Sequence, residues 1–81
     1  MSTRTVEETQ KWLIEYVAKT LKITPSEIST NEILVNLGLS SRQAIVLTSD
    51  LEIFLNIQTD PGIVWEYPSI HELANYLGSK T

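Results

Sequence analysis

Residues suited to an inward face recur at helical spacing in three separate stretches of the chain. In the first, Thr9, Leu13, Tyr16, Val17 and Leu21 share one face, with Trp12, Ile14 and Ala18 widening the stripe. Thr5-Val6-Glu7-Glu8 precedes it as a capping box, with Thr5 as N-cap and Glu8 reaching back to its amide. Glu7 and Glu8 sit where the helix dipole favours anions, and Lys19 and Lys22 where it favours cations. The pattern predicts a helix of about 16 residues. In the second stretch Ser40 caps with Gln43 at N3, and Ala44, Leu47, Thr48, Leu51, Phe54 and Leu55 line one face as far as Leu55 or Asn56. The third opens with the box Ser69-Ile70-His71-Glu72, buries Ile70, Leu73, Ala74 and Leu77, and places Gly78 where a C′ glycine belongs.

The segments between these stretches are less regular. Pro25 stops the first helix, because Thr24 before it is pushed out of the α region. Thr24-Pro25-Ser26-Glu27 reads as a short turn with Ile28 tucked inward, and residues 29–36 as a long connection pinned to the core by Ile33, Leu34 and Val35. Gly38 supplies the permissive backbone for a sharp turn. After the loop signal Gln58-Thr59-Asp60-Pro61-Gly62, the apolar run Ile63-Val64-Trp65-Glu66-Tyr67 has a strand-like composition but no partner strand, so it reads as a short helical turn closed by Pro68. The expected architecture is all-α: a small four-helix bundle of three longer helices plus a short third one, with a long loop between the first two main helices. The tail Ser79-Lys80-Thr81 is expected to be dispensable.

Eighty-one residues provide one domain, spanning 1–81, with a modest core and marginal stability. A hydrophobic content of 42% with 20% charged residues is ordinary globular usage and excludes wholesale disorder. Ten acidic against six basic residues give a net charge of −4, which disfavours nucleic acid and anionic membranes and favours basic patches on other proteins. With no cysteine there is no disulfide, thiolate metal site or thiol nucleophile. No secretory signal appears, and no apolar run approaches the roughly 18 residues of a membrane span. A cytoplasmic, monomeric protein is the expectation, and Met1 with the short tails reads as a discrete protein.

Catalytic chemistry finds no support. His71 is the only histidine, and it reads as a surface or half-buried helix residue beside Glu72 with nothing placing it near a nucleophile. No i, i+4 pairing of histidine and carboxylate suggests a metal, and Gly38, Gly62 and Gly78 are too scattered to cradle a phosphate. Trp12, Trp65 and Tyr67 read as core and rim packing. Ser40 and Ser41 stand apart. Capping arithmetic assigns Ser40 to N-cap and leaves Ser41 at N1, facing solvent. Taken alone, the pair reads as two residues that tune a helix terminus.

The wider pattern changes that reading. Leu37-Gly38-Leu39-Ser40-Ser41, a helix, a loop, then Val64-Trp65-Glu66-Tyr67-Pro68-Ser69 and Leu73-Ala74-Asn75-Tyr76-Leu77 resembles the acyl carrier protein family, most strongly the carrier domains of polyketide synthases. The resemblance covers essentially the whole chain. It implies that Ser41 bears 4′-phosphopantetheine, added from coenzyme A by a phosphopantetheinyl transferase. It further implies acyl thioesters delivered to separate synthase or acyl-transfer enzymes in polyketide, related or fatty-acid assembly, by a domain that catalyses nothing itself. Leu39, Ser40, Arg42, Ile45, Val46 and Ser49 are the implied partner-docking residues.

Three departures from the family pattern stand out. Ser40-Ser41-Arg42 replaces the usual Asp-Ser-Leu, so a carboxylate is missing before the serine and a cation replaces an apolar residue. Val46 stands where an acidic residue is common. On this reading Arg42→Leu strengthens binding to generic carrier partners. Two alternatives remain: a carrier-fold interaction module without the arm, and a peptidyl carrier.

Overall fold

The computed structural model describes residues 6–60 and 62–78. Its first helix, α1, spans Val6–Leu21, with Glu7 and Glu8 in the first turn and Lys19 in the last. The expected Thr5 cap lies outside the described residues. Lys22 is not in the last turn as expected: it adopts a left-handed conformation (φ 60°), which lets Ile23 N–H reach the Ala18 carbonyl at 3.0 Å and close the helix. A single 3₁₀ turn, Pro25–Glu27, follows, and Ile28 is buried as its position predicted.

The long connection contains more structure than expected. A four-residue helix, α2, spans Leu34–Leu37. Leu34 N–H donates to the Pro68 carbonyl at 2.8 Å, His71 N–H donates to the Thr30 carbonyl at 2.9 Å, and Ile33 forms an isolated antiparallel bridge with Ser69. Backbone bonds to the start of the last helix therefore hold the crossover. Of the three apolar residues expected to pin it, only Leu34 is buried. Ile33 and Val35 face solvent, because a one-turn helix can turn only one of three adjacent side chains inward.

Helix α3 spans Ser41–Leu55 and ends at Asn56, which takes the left-handed conformation (φ 56°) that asparagine tolerates. Ile63–Glu66 forms the short helix α4, as anticipated, and α5 spans Ile70–Gly78. Three long and two short α-helices, and no strand, occur among the described residues. The added helix is α2. Gly78 is not a C′ residue: it lies inside α5, where a Cβ would come within 2.8 Å of Val6 Cα. Close approach of α1 to α5, rather than a positive φ, explains the glycine.

The core combines Leu13, Val17, Leu34, Leu47, Leu51, Ile70, Leu73 and Leu77, all essentially inaccessible, with smaller residues between them. The extensive packing of α1 along α5 joins the two ends of the described chain. Between α1 and α3, Trp12 stacks on Tyr16 and Phe54 with centroid distances of 5.0 and 5.1 Å. Tyr16 Oη donates to Asp50 Oδ2 at 2.6 Å across the same interface. Burial, reinforced by that hydrogen bond and the carboxylate charge, pushes the Tyr16 phenol up to about 12. Tyr67 stacks on Tyr76 at 4.2 Å, and Trp65 is half exposed, a rim position, in keeping with the expected core and rim packing.

Candidate functional site

The junction between α2 and α3 is built from two anchors and one hinge. Leu34 and Leu39 bury their side chains on either side of Gly38, whose φ of 120° is a conformation L side chains rarely adopt. The Gly38 and Leu39 amides donate back to Val35 and Leu34 carbonyls at 3.1 and 3.3 Å, which closes α2 and turns the chain. Ser40 then enters extended (φ −78°, ψ 165°). Its Oγ accepts from Gln43 N–H at 3.1 Å, and its own N–H donates to Gln43 Oε1 at 2.9 Å. The capping box is thus present as the residues foretold. A cap of this kind stabilises a helix by about 1 kcal/mol.

Ser41 is the first residue of α3 and is exposed. Its Oγ makes no hydrogen bond to any described residue. The amides of Ser41 and Arg42 have no intrahelical acceptor, because the first turn of a helix offers none. Arg42 is also exposed and forms no ion pair among the described residues. A phosphodiester on Ser41 Oγ would therefore meet free N–H groups, the positive end of the helix dipole and a neighbouring guanidinium. The residues present fit an esterified phosphate.

The other residues anticipated at the site divide clearly. Ser40, Arg42, Ile45, Val46 and Ser49 are exposed on or beside the outward face of α3. Leu39 is not: at 2% exposure it belongs to the core and offers a partner nothing. Burying a leucine side chain is worth about 1.5–3 kcal/mol, and the turn at Gly38 directs this one inward. Ile53, 79% exposed, lies on the same face as Arg42, Val46 and Ser49, as its spacing from them dictates. His71 lies at the start of α5 with its ring 3.4 Å from the Asn75 amide. No group of metal-ligating side chains occurs among the described residues, and no helix there is long and apolar enough to cross a membrane.

Comparison with known proteins agrees with this geometry. The family described as the phosphopantetheine attachment site matches residues 11–77. Over 68 residues, 84% of the chain, it is 40% identical to a phenolphthiocerol/phthiocerol polyketide synthase subunit of Mycobacterium tuberculosis, and it spans 4% of that relative's length. It is 31% identical to an acyl carrier protein of Teredinibacter turnerae, covering 96% of this chain and 90% of that one. Among solved structures, an acyl carrier protein from Anabaena sp. PCC 7120 with a variant phosphopantetheinylation-site sequence superposes with a TM-score of 0.87 at 35% identity, covering 99% of this chain and 94% of the other.

Proposed function

Since the chain belongs to the phosphopantetheine-bearing acyl carrier protein family, we propose that Ser41 is the residue to which its arm is attached. One observation carries this assignment. Ser40 and Ser41 are the adjacent hydroxyls at the start of α3, and Ser40 is committed to the cap while Ser41 is exposed and unbonded. Once attached, the arm supplies a thiol on which acyl groups ride as thioesters.

Loading makes one bond and breaks one. Ser41 Oγ attacks the pantetheine-side phosphorus of coenzyme A, the pyrophosphate P–O bond breaks, and adenosine 3′,5′-bisphosphate leaves. The serine proton passes to a base on the transferase. The α3 N-terminus and Arg42 then stabilise the resulting phosphodiester anion. The chain performs no catalysis; it presents Ser41 at the start of α3.

Polyketide or related acyl assembly is the pathway supported by the similarity to the synthase carrier segment. Its partners are the transferase and the enzymes that load and unload the acyl group. A single monomeric carrier domain over residues 1–81, working in the cytoplasm where coenzyme A is available, is consistent with this role. Incubation with coenzyme A and a broad-specificity transferase, followed by intact-mass measurement, tests the assignment. The expected result is a gain of one phosphopantetheine that Ser41→Ala abolishes and Ser40→Ala retains. A wild type unmodified by several transferases, or a gain that survives Ser41→Ala, overturns it in favour of an armless interaction module or another attachment residue.

A further inference from the structure

Arg42 is the second residue of α3, directly after Ser41. A cation there meets the positive end of the helix dipole, which favours anions. Nothing else at the helix start offsets it. The other two long helices open on acids, Glu7 and Glu8 in α1 and Glu72 in α5, whereas the first turn of α3 has none. The positions that could reach back to Arg42 lie three and four residues on, and they hold Ile45 and Val46, which are apolar and half exposed. The two carboxylates farther along are engaged elsewhere: Asp50 accepts from the Tyr16 hydroxyl at 2.6 Å, and Glu52 accepts from the Thr59 amide and hydroxyl at 2.6 and 2.9 Å. Arg42 itself is exposed and forms no ion pair among the described residues.

Resting on the assignment of the arm to Ser41, we propose that Arg42 is a positioning residue for that arm: it sits unfavourably against the helix dipole in the unloaded chain, and loading gives it the phosphodiester as counter-ion. Chain connectivity brings the two together, since the phosphate is esterified to the residue next to Arg42. Adjacent helix positions do not face one another, but a guanidinium on a flexible stem reaches past the helix surface, and its planar fork can take both free oxygens of a phosphodiester. Two consequences follow from this pairing. Loading stabilises the fold, and the base of the arm is held at α3, so that its free swing begins beyond the phosphate. An exposed pair is worth little in water, so the expected signal is a small shift in melting temperature.

The test compares wild type with Arg42→Gln, which keeps helix propensity, before and after loading of the full chain with coenzyme A and a broad-specificity transferase. At low salt, unloaded Arg42→Gln should melt about 1–3 °C above unloaded wild type, and loading should raise wild type by about 2–4 °C more than it raises the variant. Salt at about 1 M should erase that difference. The Arg42 Nε–H signal in NMR spectra of wild type should move on loading, a change that reports the guanidinium contact itself. Unloaded Arg42→Gln melting below wild type overturns the charge conflict. Equal rises in the two proteins, with Ser41 loaded in both, overturn the ion pair and leave the attachment reading intact. An Arg42 Nε–H signal unmoved in loaded wild type does the same, and it decides the matter should Arg42→Gln resist the transferase. A wild type that no transferase loads, or one loaded at a residue other than Ser41, overturns the attachment reading and this inference with it.

Discussion

At the start of α3, Ser40 Oγ accepts from the amide three residues on at 3.1 Å; at the start of α5, Ser69 Oγ accepts from Glu72 N–H at the same distance. The two caps then diverge. Ser69 is buried, its hydroxyl also donates to Glu72 Oε1, and the crossover is bonded over it through Pro68 and His71. Ser40 is exposed, with no segment bonded across it beyond its own helix. The residue after the cap differs in the same sense: Ile70 is fully buried, whereas Ser41 is exposed. One local motif therefore serves as a weld at α5 and as a presentation device at α3. The cap chemistry does not decide which; the polarity at N1 and the covering loop do.

The largest effect separates the two roles outright. Ser41→Ala should eliminate phosphopantetheine loading and leave the melting temperature unchanged. Ser69→Ala should lower stability by about 1–2 kcal/mol, because it removes the α5 cap and leaves a small gap at a buried position, yet loading of the folded fraction should persist. Denaturant titration and intact mass on the same samples check both. Loss of loading in folded Ser69→Ala protein would show that the weld also shapes the site.

Next comes the turn that delivers Ser40 outward. Gly38→Ala forces a side chain to φ 120°, with an expected cost of about 1–3 kcal/mol. Added space is not the issue, since the new Cβ would meet Leu21 Cδ2 at an ordinary 3.5 Å. The backbone strain should move Leu39 or Ser40, so loading should slow as stability falls. Ser40→Ala is milder, at about 1 kcal/mol, and Ser40→Asp should restore the cap fully. A stability loss in Ser40→Asp would mean that the hydroxyl does more than cap.

These differences mark what the residue pattern could reveal. The spans of α1 and α3, the Ser40 and Ser69 caps and the helical turn at Ile63–Glu66 all rest on interactions within a few residues, and they match expectation. The misreadings involve partners far away in the chain. Gly78 is small because Val6 lies against it; Leu39 is buried because Gly38 turns it onto a core assembled from other helices. Val35 looks like a core residue by composition, and only the final packing leaves it outside. At the site itself, the Ser40 cap and the exposed position of Ser41 at N1 are local and were legible. The engagement of Asp50 and Glu52 by Tyr16 and Thr59 was not, because it joins residues from different segments.

The smallest expected effect concerns how the presented helix is held from behind. A polar bond from Tyr16 to Asp50 ties α3 to α1, whereas close contact between Val6 and Gly78 brings α5 against α1. Only the first can be titrated. The Tyr16 phenol is raised in the fold from 10.0 to about 12, so the neutral form is favoured by folding. Its contribution is fully present below pH 10 and is lost as pH rises through about 12. Tyr16→Phe should therefore be less stable than wild type by about 0.5–1 kcal/mol at pH 8, and that gap should close between pH 10 and 12. Comparing the two melting curves removes the background from lysine and the other tyrosines, which titrate in both proteins. A gap that stays constant to pH 12 would show that the hydroxyl contributes packing rather than a proton held on Asp50, and α3 would then be fixed to α1 in the same pH-insensitive way as α5.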